Sequence, residues 1–491
     1  MPQNIIIMMT DEQRADHRAA EGFELDTMPG LDRWEEQGSS FPIAYTPSPV
    51  CTPARCSMLT GRYPKATGIR ALDAADQIRM ETDLFGHLCQ AGYDTALIGK
   101  NHSHVSETDV DHYSQYRHWS GPIRPDNEQR DRRFNQWMHS SSGPLIEEPC
   151  PYPLEQQFPY RIVSESMDWL RGRNGRPFCL WMSIPEPHSP YQVPEPYYDM
   201  FPPESLPDCV GPEALESKPE LWQFNHKLEL HHDPMRMEKT GRYRSNYCGM
   251  LRLIDDQLGR FFRFLEKSGL ADSTVVVYTS DHGDFVGDYG LWSKGAGLPE
   301  CLTRVPMIWR GPGIASQAPQ AHVSLVDIFP TICEALGLHM PDGIQGRSLW
   351  PILRGRDWPT EEFGSIYSEN GIGGVPFSPD EVDWDAWPQL LGKPGESTFA
   401  SELNSVSQSG HRKMVRKGRW KLVYDPYGAS ELYDLDDDPQ ELNNLYASSR
   451  AREVRQELIE ELLNWSIRTE DTLPRNRWPV KRRRHLWDAP M

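Results

Sequence analysis

Four short apolar runs punctuate the chain: Ile5-Met9, Thr95-Ile98, Phe178-Ile184 and Val275-Tyr278. Runs of this length without alternation predict strands buried on both faces of a parallel sheet. Each gives way at once to polar residues. Asp11 and Glu12 follow the first, Lys100 and His102 the second, His188 the third, and Asp281 and His282 the fourth. Ligands of open α/β sheets bind beyond the carboxyl ends of the strands, so these four ends are expected to converge on one crevice.

Between the runs lie helix signals: Thr82-Cys89 stopped by Gly92, the amphipathic stretch Tyr243-Lys267, and Val323-Leu336 closing on Gly337. Strands alternating with helices predict an α/β architecture, a mostly parallel sheet flanked by helices. Residues 105–235 break the rhythm, being rich in Pro, Trp, Tyr, His and Arg, and are expected to form loop-rich excursions over the crevice mouth, where selectivity would reside. After Gly355 the pattern changes. Ser365-Ser368 and Trp420-Tyr424 predict strands, Asp434-Pro439 an acidic turn, and Arg450-Ile467 a helix. The expected division is a catalytic domain over 1–356 and a smaller C-terminal α+β domain with an antiparallel sheet over 357–491.

Composition narrows the function. A chain of 491 residues is long enough for two substantial cores. The net charge of -20 argues against nucleic acid as a partner, since a polyanion is normally met by a basic face. The tail Lys481-Arg482-Arg483-Arg484-His485 is the exception, and reads as a solvated terminus. Nine cysteines without a C-x-x-C pair make neither a disulfide nor a zinc framework and fit a reducing compartment. The opening Met1-Pro-Gln-Asn-Ile-Ile-Ile-Met-Met lacks a basic n-region and is too short an apolar run for a leader or membrane helix. A cytoplasmic protein without a membrane partner is expected.

The chemistry centres on Cys51. Pro53 suits the first turn of a helix running through Arg55 to Leu59 and ending at Gly61. A side chain at a helix N-terminus meets the positive end of the dipole, which favours an anionic nucleophile or substrate such as sulfate or phosphate. Taken alone, Cys51 could equally be an inert buried thiol and Pro53 a helix starter. Asp11 and Asp281 come from different strands, as a hard divalent cation requires of its carboxylates; either residue alone would read as a strand-end cap. An imidazole from His282 would also admit softer ions such as manganese or zinc.

The segment Cys51-Thr52-Pro53-Ala54-Arg55, followed by Ser57-Met58-Leu59-Thr60-Gly61-Arg62-Tyr63-Pro64, resembles the C-x-P-x-R signature of the formylglycine-dependent sulfatases. The resemblance continues in order through Thr10-Asp11-Glu12-Gln13, Gly99-Lys100-Asn101-His102, Glu186-Pro187-His188, Ser280-Asp281-His282-Gly283 and Trp292-Ser293-Lys294-Gly295. It reaches the tail in Leu432-Tyr433-Asp434-Leu435, Asp438-Pro439-Gln440-Glu441 and Asn444-Leu445. Several short motifs in order are far more specific than one.

That resemblance implies an alkaline-phosphatase-like fold and a sulfuric ester hydrolase. It implies that a formylglycine-generating enzyme converts Cys51 to formylglycine (3-oxoalanine), whose hydrate attacks sulfur. A divalent cation, calcium first and magnesium or manganese next, would be held by Asp11, Glu12, position 51, Asp281 and His282, although the family usually has Asp-Asp where this chain has Asp11-Glu12. The cation and Arg55 would polarise the hydrate while Lys100 and Lys294 neutralise sulfate oxygens. His188 would protonate the leaving oxygen, and His102 would take the remaining diol proton so that sulfate is expelled. Lys100, His188 and Lys294 would thus also bind substrate, a small-molecule or oligosaccharide sulfate ester. The aromatic and basic content of residues 105–235 suits a sulfated carbohydrate. Two alternatives stand beside this: a phosphonate monoester or phosphodiester hydrolase of the same superfamily, which usually lacks the Gly-Lys-x-His lysine, and a sulfatase-like binding protein that never acquires formylglycine.

Overall fold

The computed structural model describes residues 4–72, 75–140, 144–295, 297–381 and 410–470. The four apolar runs are strands of one seven-stranded sheet: β1 (Asn4–Asp11), β4 (Asp94–Lys100), β6 (Phe178–Pro187) and β7 (Thr274–Ser280). β2 (Ser39–Ser40), β5 (His112–Tyr116) and β8 (Met307–Arg310) complete it in the order β2-β8-β7-β1-β6-β4-β5. β7, β1, β6, β4 and β5 run parallel, and β8 and β2 form an antiparallel edge. β3 (Ala44–Tyr45) and β9 (Val323–Ser324) make a small separate pair.

Alternate residues of the central strand feed two cores. Ile6 and Met8 pack against the helices Phe158–Arg171 and Arg236–Lys267. Ile5, Ile7 and Met9 pack with the helices Cys51–Thr60, Leu84–Gln90 and Ile328–Leu336. Coverage of both faces explains why these strands read as unbroken apolar runs. Each fully buried Ile or Leu contributes roughly 1.5–3 kcal/mol relative to exposure. Among the described residues no helix is long and apolar enough to cross a membrane.

Several elements depart from the sequence reading. Residues 105–235 are more than an excursion: β5 extends the sheet, and Phe158–Arg171 buries Phe158, Ile162, Val163 and Leu170 in the core. Buried Arg161 and Ser166 obscure that helix in the sequence. The stretch expected as one helix from Val323 begins instead as β9; the Ser324–Asp327 capping box then starts a turn that leads into Ile328–Leu336. The long helix begins at Arg236, earlier than expected.

Beyond Ser365 the chain forms an antiparallel sheet, β10 (Ser365–Gly373), β11 (Gly410–Lys417), β12 (Trp420–Tyr424) and β13 (Glu431–Asp434), in that order. The helix Arg452–Arg468 covers it with Leu458, Leu462 and Trp465, in a core shared with Tyr63 and Val326 of the first sheet's layer. A buried ionic joint links the two parts. Glu300 meets Lys421 at 2.8 Å and Arg416 at 3.4 Å, and Lys421 also meets Glu441 at 2.8 Å. The basic tail 481–485 lies outside the described residues.

Candidate active site

The carboxyl ends of β1, β4, β6 and β7 open on one crevice, and the helix Cys51–Thr60 points its N-terminus into it. Every residue of that helix is buried, and Gly61 ends it in the left-handed conformation. Cys51 Sγ lies 3.5 Å from Asp11 Oδ1 and 3.2 Å from His282 Nε2. Burial and Asp11 would raise its pKa, but Lys100, Lys294 and His282 bring it below the ordinary thiol value.

One donor atom each from Asp11, Cys51, Asp281 and His282 falls within 4.8 Å of all the others. The set fits a divalent cation: two carboxylates from different strands, an imidazole and the sulfur of Cys51. His282 Nδ1 lies 2.8 Å from the Gly283 carbonyl, leaving Nε2 to face the cluster, the orientation an imidazole ligand requires. Two glycines allow this closeness. A Cβ on Gly283 would stand 1.9 Å from the Cys301 carbonyl oxygen, and one on Gly99, at φ +123°, 1.8 Å from that of Ser183.

Arg55 is fully buried and committed. Its Nε donates to Asp281 Oδ2 at 2.7 Å and its Nη1 to the Lys100 carbonyl and Ser183 Oγ at 3.0 and 2.8 Å. Only Nη2 is left without a hydrogen bond among the described residues, 4.0 Å from Asp11 Oδ1. Lys100 pairs with the other oxygen of Asp11. Burial would raise the Asp11 carboxyl, but Lys100, His188, His118 and Arg55 together hold it well below the usual range.

Glu12 is not in the four-donor group. At φ 65° its backbone turns the side chain toward Lys294, with which it forms an ion pair. Ser293 Oγ donates to it at 3.0 Å and Tyr191 OH lies at 3.4 Å. Burial pushes the carboxyl up to about 8, Asp284 and Asp11 reinforcing and Lys294 opposing. We read the pair as ionic, because the Lys294 ammonium and the Ser293 hydroxyl both donate to this carboxylate. At Lys294, by contrast, burial is outweighed, and Cys51, Glu12 and Asp11 hold the ammonium well above its ordinary value.

His188 is fixed by a 2.8 Å contact from Nδ1 to the Ser189 carbonyl; its Nε2 lies 3.2 Å from Lys294 Nζ and 3.4 Å from Glu12 Oε1. His102 sits at the rim with φ 46°, and Lys100, then burial, push its pKa down to about 3, so it is neutral at physiological pH. Glu12, His102 and Ser293 are three non-glycine residues with positive φ around one site, a conformation that costs free energy and concentrates where side chains must be aimed.

One residue of the crevice was not anticipated. His118, just beyond β5, brings its Nε2 to 3.2 Å from Asp11 Oδ2, and its ring lies 3.6 Å from that of His188. The signal that could have found it is the aromatic-rich His112-Tyr113-Ser114-Gln115-Tyr116, a short edge strand ending, like the others, on a polar residue.

Strand ends that bring two carboxylates, a nucleophile position and two lysines together on a mostly parallel sheet define an alkaline-phosphatase-like hydrolase. Within that class the chain belongs to the sulfatase family, whose model matches residues 3–338, and it is a sulfuric ester hydrolase. A second model, N-sulphoglucosamine sulphohydrolase, C-terminal, matches residues 401–468. The chain is 27% identical to an arylsulfatase of Clostridium perfringens over 495 residues, covering 94% of this chain and 95% of that one. It is 24% identical to an N-acetylglucosamine-6-O-sulfatase of Bacteroides thetaiotaomicron over 537 residues, 96% and 87% of the two chains. A phosphonate monoester hydrolase from Silicibacter pomeroyi shares the fold, with a TM-score of 0.79 at 20% identity over 95% of this chain and 96% of that one.

Proposed function

We propose that this sulfatase hydrolyses the sulfate ester of a carbohydrate, with Cys51 converted to formylglycine as nucleophile and a divalent cation held by Asp11, Asp281, His282 and position 51. The observation that carries the reading is the gathering of those four donors within 4.8 Å, ringed by Lys100, Lys294 and His188. The cation, when bound, supplies positive charge beside the nucleophile. Calcium is the first candidate and magnesium or manganese the next, because the imidazole departs from an all-oxygen calcium site. Glu12 serves instead to hold Lys294.

The chain's own groups do the rest. Lys100 and Lys294 neutralise sulfate oxygens as charge moves toward the leaving group, and Arg55 Nη2 faces the nucleophile position. His188, whose Nε2 faces Lys294 and Glu12, is the group placed to protonate the departing alcohol and would need to take up a proton on Nε2 to do so, and neutral His102 would accept one from the hydrate. The carbohydrate assignment is supported by the C-terminal model named for N-sulphoglucosamine sulphohydrolase and by the N-acetylglucosamine-6-O-sulfatase relative. Maturation would fall to a formylglycine-generating enzyme, and a cytoplasmic location remains part of the proposal.

Mass spectrometry of the peptide containing Cys51, after co-expression with a formylglycine-generating enzyme, should show the aldehyde. Sulfated mono- and disaccharides should be turned over in preference to aryl and choline sulfates. Activity on the small sulfates alone removes the carbohydrate assignment. The shared fold with a phosphonate monoester hydrolase keeps one rival in view, and a preference for p-nitrophenyl phenylphosphonate over p-nitrophenyl sulfate would select it.

A further inference from the structure

Lys294 reaches the site from a loop rather than from a strand end. It follows the turn Asp288–Gly290, and its neighbour Ser293 stands at φ 54°, a conformation that a non-glycine residue keeps only where its surroundings over-determine it. One face of the helix Arg236–Lys267 holds this loop. Arg236, Thr240 and Tyr243 follow at i, i+4 and i+7 and therefore share that face. The Arg236 guanidinium lies 4.4 Å from the centre of the Trp292 ring, Trp292 Nε1 donates to Thr240 Oγ1 at 3.2 Å, and the Tyr243 ring packs on Trp292 with centres 4.3 Å apart. Arg236 and Thr240 belong to the turns that precede Tyr243, where the sequence pattern places the helix start.

Two contacts fix the Ser293 backbone: its carbonyl accepts from the Phe285 N–H at 2.8 Å, and its own N–H donates to the Tyr243 hydroxyl at 3.2 Å. That hydroxyl donates its hydrogen to Asp284 Oδ1, and Asp284 is fixed in turn by Tyr191 OH at 2.7 Å and the Val286 N–H at 2.8 Å. Burial and the Asp284 carboxylate push the Tyr243 phenol well above its ordinary value, so it keeps that hydrogen. With the hydrogen committed to Asp284, only lone pairs face Ser293, and the hydroxyl meets a backbone N–H there but not a carbonyl. From this turn the Ser293 hydroxyl and the Lys294 ammonium both reach Glu12. Neither Tyr243 nor Asp284 has a part in the reaction proposed above.

We propose that Tyr243 is a positioning residue for Lys294: its hydroxyl, oriented by Asp284, pins the Ser293 turn from which the ammonium is aimed into the crevice. This role rests on the reading of Lys294 as a group that neutralises sulfate oxygens. Without the pin Ser293 relaxes toward negative φ and carries the next side chain with it, and a displacement of about 1 Å in a group that acts on the transition state costs up to about 10²-fold. The loss falls on kcat, because the charge that Lys294 meets develops as the ester bond breaks.

The test is a double-mutant cycle on the metal-loaded, formylglycine-containing enzyme with p-nitrophenyl sulfate: wild type, Y243F, K294A and the pair. Y243F keeps the ring on Trp292 and removes only the hydroxyl. It should lower kcat by about 10- to 100-fold with KM little changed, and K294A should lower it by about 10²–10³-fold. In the K294A background Y243F should cost less than about twofold, because there is no ammonium left to aim. T240V, which removes the acceptor of Trp292 Nε1, should show a smaller loss with the same dependence on Lys294, and it carries the test alone if Y243F does not accumulate as folded protein. An equal loss in both backgrounds means that Tyr243 only supports the fold and overturns the proposal, as does no loss in the wild-type background. A K294A variant as active as wild type, or a wild type inert on every sulfate ester, overturns the parent reading and this role with it, whereas an impaired K294A with additive losses overturns this role alone.

Discussion

Replacing Glu300 by glutamine should loosen the joint between the two sheets, with a pH dependence set by the carboxyl's surroundings. Tyr45 OH donates to its two oxygens at 2.7 and 2.6 Å, and Lys421 and Arg416 bring charge from the antiparallel sheet. Burial would raise the Glu300 pKa, but Lys421 and Arg416 outweigh it and carry the group from 4.5 to about 2. That difference corresponds to roughly 3 kcal/mol. Because the folded value is the lower one, the unfolded chain binds more protons between the two. The stabilisation is therefore complete above about pH 4.5 and is lost as the pH falls toward 2. With an unfolding entropy of about 2.1 cal/mol/K per residue over 491 residues, a chain melting as one unit loses roughly 3 °C. Thermal unfolding of wild type and E300Q at pH 7.5, 5, 4 and 3 should show that deficit at the two higher values and convergence below. Equal melting at pH 7.5, or a deficit undiminished at pH 3, refutes the reasoning.

Other perturbations act on the site itself. Chelation by EDTA should abolish turnover, with recovery on adding back calcium, magnesium or manganese ranking the ions; D281N should weaken metal binding by roughly 10²-fold or more, measured by calorimetry. K100A should lower kcat by about 10²–10³-fold while leaving the fold intact by circular dichroism, because it removes a preorganised charge facing the sulfate. G99A forces a Cβ to 1.8 Å from the Ser183 carbonyl oxygen at φ +123°. Backbone must move to admit it, so the variant should lose several kcal/mol or fail to accumulate as soluble protein, on a scale of about 3 kcal/mol or more.

What the sequence reveals tracks how uniform each element's surroundings are. β1, β4, β6 and β7 are legible because burial on both faces leaves their residues almost no choice but apolar ones. β8 and β11 are not, the first being a four-residue strand beside the two-residue edge strand β2 and the second setting Met414-Val415 between Arg412-Lys413 and Arg416-Lys417. The helix Phe158–Arg171 hides because Arg161 is buried, its guanidinium 5.3 Å from the Tyr116 ring. At the site, the strand-end rule finds Asp11, Lys100, His188 and Asp281. It does not show where the Glu12 carboxylate goes, which the backbone at φ 65° turns into an ion pair with Lys294. It misses His118 because β5 has no apolar run to announce its end.

The position of β1 in the sheet has a consequence for how the protein is made. β1 sits at the centre of the sheet and its neighbours are residues 178–187 and 274–280, so its apolar residues lack one partner strand or both until Ser280 has been added. Pairings so distant along the chain form slowly and late. The helix that begins at Cys51 packs in a core that also needs Phe329 and Ile332, residues still later in the chain. Until those have emerged, the sulfur that is 1% exposed in the folded molecule stays accessible. The strand order is thus also a schedule: an enzyme that modified Cys51 as proposed above would have until that core closes to reach it, and afterwards the sheet closes the door.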